Sequence, residues 1–209
     1  MKIRKEFIER AQRIQESEYF KNIKIEATNL KDCYVLTPKR FGDERGFFEQ
    51  LDVEPLQALG FREFKKLNGS KSVKGTIRGL HFQQNPYAQT KVVSCKNGGV
   101  LDVVVDMRVD SPSFGEWTSV ELTPENGKML YVPRGFAHGF VALKDDTYFQ
   151  YVVDNVYNKA SEGGIIWNDK DINIDWQFDK YGIVNPIFSD KDKLHPTLSL
   201  AKDYFKEVL

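Results

Sequence analysis

The first twenty positions place apolar residues at Phe7, Ile8, Ala11 and Ile14, with charged residues between them. That spacing of three and four predicts one amphipathic helix over residues 4–20. From about residue 31 the period shortens. Short runs of β-branched and aromatic residues follow one another, each closed by Gly, Pro, Asn or Asp. Residues 33–37 (CYVLT) predict a strand stopped by Pro38. Further strands are predicted at 73–83, 90–96, 100–108, 116–123, 128–133, 138–144 and 147–153. Asn97-Gly98-Gly99 and Asn126-Gly127 read as hairpin turns, because Asn and Gly reach positive φ at little cost. FGDERGFFEQ (41–50) reads as a tight loop displaying Arg45, and residues 54–60 as a short helix ending at Gly60. Trp167 and Trp176 are expected to pack, and residues 200–208 to form a short closing helix. Many short strands with little helix between them predict an all-β sandwich or barrel. A helical extension (1–30) would precede this main domain (31–209).

At 209 residues the chain can bury a core without staples. Lys and Arg number 30, as do Asp and Glu, so the formal net charge is zero. A balanced chain offers no electrostatic reason to expect nucleic acid or an anionic membrane as partner. Any anion must be met by a local cluster of cations, which points to a small ligand. Cys33 and Cys95 match no zinc or redox spacing and are expected to be reduced, as in the cytoplasm. No run is long enough for a signal sequence or a membrane span. Asn68-Gly69-Ser70 fits a glycosylation sequon, taken as incidental without a secretion signal.

Chemistry concentrates in Thr76–Lys91, which brings Arg78, Gly79 (read as a hinge), His81, Gln83 and Lys91 into one strand-to-loop segment. His81 is open to two readings here, a core imidazole bonded to a carbonyl or a general base. A metal site needs three or four converging ligands. His81, His138 and His195 stand apart in sequence with no His-x-His or HExxH pattern, so no metal is expected. There is no GxSxG elbow and no glycine-rich phosphate loop. Acid–base work remains. His81 could act as base if its second ring nitrogen is oriented. Lys91 would then face a developing oxyanion, and a tyrosine whose pKa is lowered by a nearby cation could be the acid. Tyr148 and Tyr151 lie on opposite faces of one strand, and the period alone does not choose between them.

Taken together the motifs carry more. FGDERGFF (41–48), NGSKSVKGTIRGLHFQ (68–83), AQTKVV (88–93), VVDMRVDSPSFGEW (104–117), VPRGFAHGFVAL (132–143) and YVVDNVYNKASEGGIIWND (151–169) stand in the order and spacing of one family. Over roughly residues 30–198 the chain resembles the dTDP-4-dehydrorhamnose 3,5-epimerases, with the N-terminal helix outside the resemblance. The resemblance implies a homodimeric, cupin-type jelly-roll barrel with short helices at both ends, working without metal or organic cofactor on a nucleotide-linked sugar. By position, His81 matches the family's catalytic base, Asp192 the carboxylate that orients it, Tyr151 the proton donor on the opposite sugar face, and Lys91 the cation beside O4. Arg45, Arg78, His138, Glu162 and Lys191 fall on substrate-contacting positions, and Tyr157 on the position that stacks on the base.

Two departures stand out. The family has an acid five residues after the loop arginine, where this chain has Gln50. Glu49, one residue earlier, would face the other side of a strand. The family also reads Gln-Asp-Asn where this chain has Lys66-Leu67-Asn68. Gln50 and Asn68 are retained as substrate-contacting positions, and the departures bear on which sugar nucleotide is bound. The leading expectation is an epimerase acting at C3, C5 or both of a 4-keto-6-deoxyhexose in rhamnose-type deoxysugar biosynthesis. A one-carbon epimerase on another nucleotide sugar, a catalytically silent sugar-nucleotide binder and a metal-dependent cupin are the alternatives.

Overall fold

The computed structural model describes residues 2–201. In chain order the elements are α1 (Lys5–Gln15), β1 (Ile23–Ala27), β2 (Tyr34–Pro38), β3 (Arg40–Asp43), β4 (Gly46–Glu49), α2 (Val53–Ala58), β5 (Lys66–Ser72), β6 (Ile77–Gln83), β7 (Lys91–Asn97), β8 (Val100–Asp106), β9 (Trp117–Leu122), β10 (Met129–Val132), β11 (Phe136–Ala142), β12 (Thr147–Val153), β13 (Glu162–Gly164), α3 (Phe178–Tyr181) and α4 (Leu198–Ala201). One sheet has the order β1-β2-β10-β7-β12-β5, a second β13-β6-β11-β8-β9, and β3-β4 forms a separate hairpin. The molecule is thus mostly β-sheet with short helices.

Alternation along the strands explains the layers. On β8, Val100 and Val104 turn into a core shared with Val93, Leu130 and Phe149 of the six-stranded sheet. Leu101, Val103 and Val105 turn outward to meet Ile165, Ile172 and Trp176 from the C-terminal segment. Both faces are covered, which is why all seven β8 residues are buried. The outer face of the six-stranded sheet (Ile23, Ile25, Leu36, Val92, Tyr131) is closed by Ala11 of α1, Phe20, and Leu56 of α2.

Several expectations need correction. Asn97-Gly98-Gly99 and Asn126-Gly127 do not close hairpins. Each carries the chain from one sheet to the other, since β7 and β10 belong to the six-stranded sheet and β8 and β9 to the five-stranded one. The positive φ of Gly98 and Gly127 serves a corner instead. The strand expected at 73–83 begins only at Ile77. Lys66–Ser72 forms a strand of its own that no apolar alternation announced, because it is an edge paired through its backbone to β12 alone. β1 was likewise not foreseen, and the tight loop at 41–50 is the β3–β4 hairpin. The first helix stops at Gln15, followed by a 3-10 turn at Glu18–Phe20. Trp167 and Trp176 do pack. Most of the closing helix expected at 200–208 lies outside the described residues.

Candidate active site

The site is set by an irregularity in β6. Arg78 pairs with Phe140 and His81 with His138, so two residues of β6 (Gly79 and Leu80) face one of β11 (Gly139). One extra residue inverts the alternation. Arg78 and His81, three apart, therefore both line the space between the sheets, while Leu80 turns to the outer core and Phe82 packs there at the cavity's edge. Gly79 makes this possible and is not a hinge. Its φ is +119°, and a Cβ there would sit 2.6 Å from the Gly139 Cα and 2.7 Å from the His138 carbonyl. Two glycines meet backbone to backbone.

Between the sheets opens a cavity of about 430 Å³. β6 and β11 of the five-stranded sheet bring Arg78, His81 and His138 to it. β7, β12 and β5 of the six-stranded sheet bring Lys91, Tyr151 and Asn68 from the opposite wall. Tyr151 faces inward with Phe149, whereas Tyr148 points out, which settles the choice the period left open. Tyr157, Glu162, Lys191 and Asp192 complete the lining. Gln83 also borders the cavity, but its amide is occupied: it donates to the Tyr87 and Val156 carbonyls and accepts from the Asn158 N–H, at 2.7–3.0 Å. It thereby anchors the segment that carries Tyr157 and Glu162.

The His81 Nε2 lies 2.5 Å from the Asp192 Oδ1. The ionised carboxylate can only accept, so Nε2 carries the proton and Nδ1 is the basic nitrogen. Burial alone would raise the Asp192 carboxyl, but the two imidazoles it faces, His195 and His81, outweigh it and hold the group well below the usual carboxylate range. Burial lowers the Lys91 ammonium to about 8, against the pull of Asp102 and Glu162. Burial raises the Tyr151 phenol, with Arg78 pulling it back and Glu162 adding to the rise. The tyrosine is thus not shifted down as a cation alone would have it. It keeps its proton at neutral pH and has one to give. Burial pushes Glu162 upward, but Lys191 at 2.6 Å and the Tyr157 hydroxyl at 3.0 Å bring it below its ordinary value.

Ten of the expected site residues meet here, and two do not. Arg45 sits at the tip of the exposed β3–β4 hairpin, paired with Asp43 at 2.6 Å. Gln50 bonds Asp52 at 3.0 Å, also outside the cavity. Glu49 is held by Arg40 at 2.9 Å, so it does not stand in for the missing acid. Sequence reading missed Asp102, whose Oδ2 lies 2.9 Å from the His138 Nε2 behind the cavity wall. An acid inside the apolar run VLDVVVD was the available signal. It also set His195 aside, and the histidines do not stand apart in space. His81 and His138 are register partners, and the His81 and His195 rings lie 5.5 Å apart. The ligand atoms of His81, Asp192 and His195 fall within 4.8 Å of one another, a set that could hold a metal ion. An ion bridging them would have to open the His81–Asp192 hydrogen bond.

Comparison with known proteins gives the same direction. A family model described as dTDP-4-dehydrorhamnose 3,5-epimerase matches residues 27–199. A dTDP-4-dehydrorhamnose 3,5-epimerase of Shigella flexneri is 46% identical over 181 residues, covering 85% of this chain and 97% of the relative. A crystal structure of the enzyme of that name from Elizabethkingia anophelis superposes with a TM-score of 0.80 at 42% identity, covering 87% of this chain and 99% of that one. A 3'-monoepimerase from Streptomyces bikiniensis, solved with dTDP-quinovose, superposes with a TM-score of 0.77 at 30% identity, covering 84% and 88%.

Proposed function

The chain belongs to the dTDP-4-dehydrorhamnose 3,5-epimerase family, and on that premise we propose that its cavity inverts C3 and C5 of a dTDP-linked 4-keto-6-deoxyhexose through His81 and Tyr151. The protein is a sugar-nucleotide epimerase, an isomerase of deoxysugar biosynthesis. One observation carries the assignment of residues. His81 and Tyr151 enter one cavity from opposite sheets, so a sugar ring lying between them presents one face to each.

Both C3 and C5 are α to the C4 ketone, which makes their protons acidic. Nδ1 of His81 takes such a proton, and Asp192 stabilises the imidazolium that forms. The electron pair moves to O4 as an enolate, where the Lys91 charge is worth more than against the neutral ketone. Tyr151 returns its hydroxyl proton to the same carbon from the other face, and the centre is inverted. Arg78 favours the phenolate left behind. Proton transfer beside a ketone asks for a base, an acid and a cation at the oxygen, and these side chains supply all three. The reading therefore includes no metal or organic cofactor. Lys191, Arg78 and Lys66 line the same cavity and suit the diphosphate of the nucleotide, and the exposed Tyr157 ring suits stacking on its base.

Phe41 and Phe48, register partners on one face of the β3–β4 hairpin, are 46% and 60% exposed, a patch that needs covering. A homodimer would cover it and would offer Arg45 and Gln50 to the neighbouring cavity. The two facing antiparallel sheets fit a cupin-type jelly roll, with residues 1–30 as an extension upon it. Cys33 and Cys95 are free thiols, which fits the cytoplasm.

A one-carbon epimerase is the second reading, favoured by the match to the 3'-monoepimerase and by Lys66-Leu67 in place of the family's usual pair. Turnover of dTDP-4-keto-6-deoxyglucose in D2O separates the two. Deuterium at C3 and C5 is the expected result, deuterium at one carbon selects the second reading, and none at either carbon refutes both. His81→Asn is expected to abolish exchange in a folded protein.

A further inference from the structure

His195 is built into the site. Its side chain is 9% exposed, and its Nε2 lies 3.5 Å from the Asp192 Oδ1, the same oxygen that His81 meets at 2.5 Å. That separation is too long for a good hydrogen bond, and among the described residues the buried Nε2 has no other partner. The ring stands edge-on to that of His81, at 74°. Space for it is made by Gly164, the register partner of His81, where a Cβ would fall 2.5 Å from the imidazole of His195. Pro196, the residue after His195, fixes the segment by accepting from the Ile166 N–H at 2.8 Å. Two imidazoles thus converge on one carboxylate oxygen, and a glycine in β13 admits the second.

We propose that His195 is a positioning residue that shares the Asp192 carboxylate with His81 and so sets the basicity of the catalytic imidazole. The inference rests on the reading of His81 as the base. A small tilt of the ring brings Nε2–H onto Oδ1. A donor there draws carboxylate charge away from His81, so the imidazolium formed by proton abstraction is stabilised less and gives its proton up more readily. The sign is the same whether His195 is neutral or charged. Removing it leaves the whole of the Asp192 charge on His81 and makes that imidazole more basic. The titratable groups that line the cavity beside the pair include Arg78 of β6, Lys91 of β7, His138 of β11, Tyr151 of β12, Glu162 of β13 and Lys191, and all are kept when residue 195 is changed.

The test is kcat/KM against pH for His195→Phe, which keeps a ring over Gly164 without an N–H, and for His195→Gln, whose amide N–H can replace Nε2. The Phe variant is expected to move the acid limb up by about one pH unit, with KM on the alkaline plateau unchanged, and the Gln variant to restore it. An acid limb in the Phe variant that coincides with the native one, or an equal shift in both variants, overturns the proposal. The native protein gives a second measurement that needs neither variant nor turnover. With three histidines in the chain, NMR titration of the rings should show His81 and His195 titrating as a coupled pair, and independent single titrations would refute the proposal. Because that measurement is independent of activity, it stays distinct from failure of the base assignment, which would appear as exchange surviving His81→Asn.

Discussion

In the proposed mechanism Lys91 has to be charged for O4 to develop as an enolate, and burial between the two sheets makes that charge costly. Burial lowers its ammonium from the ordinary lysine value to about 8. The cation is present below that pH and lost above it, so kcat/KM, which reports the free enzyme, is expected to fall above about pH 8. A profile flat to pH 10 would mean that Lys91 is not the group at O4. Lys91→Met should lower kcat by about 10²–10³-fold, the usual loss when one donor to a developing oxyanion is removed. At this scale the sequence was informative where a side chain sits inside a distinctive string, as His81 does in RGLHFQ. It was silent where proximity is made by folding. Asp102 and His138 are 36 residues apart in sequence yet bonded. Burial pushes His138 down and Asp102 up, each against the pull of its partner. His195 looked isolated for the same reason.

Strand β6 shows why the element scale resisted a reading by period. Alternation assigns Arg78 and His81 to opposite faces, yet both reach the cavity because the bulge at Gly79–Leu80 resets the count. Gly79→Ala would drive a methyl into the backbone of β11, where neither Gly139 nor His138 can yield. The substitution is expected to cost about 1–3 kcal/mol in urea denaturation and to reduce turnover even where the protein still folds, by displacing His81 from Asp192. Unchanged stability and turnover would show that the bulge tolerates a side chain. Edge strands such as β5 were illegible because backbone pairing to one neighbour asks for no apolar pattern. Asn97-Gly98-Gly99 announced a turn correctly, but turn residues do not record whether the next strand joins the same sheet or the facing one. The SPSFGEW string, distinctive as sequence, has a structural use. Ser111 and Ser113 donate to the buried Asp106 carboxylate at 2.5 and 2.6 Å, and Arg108 pairs with it at 2.8 Å.

For the whole molecule, the two sheets act as opposing walls, and one end of the space between them is core while the other is cavity. Phe140 and Phe149, 4.3 Å apart, belong to both. Arg45 lies away from its own cavity, at the tip of the β3–β4 hairpin, and in the proposed homodimer a second copy would supply it. Sedimentation is expected to give twice the chain mass. Phe48→Glu should yield a folded monomer of much reduced activity, and a fully active monomer would remove Arg45 from the site. The central claim, one proton leaving by His81 and another arriving from Tyr151 on the far face, is tested most directly with Tyr151→Phe in D2O. The His81 side chain is 32% exposed, so its imidazolium can exchange with solvent. The variant should therefore place deuterium beside the ketone with configuration retained, because the base can return a deuteron only to the face it took the proton from. Inversion at an undiminished rate in this variant would contradict the account.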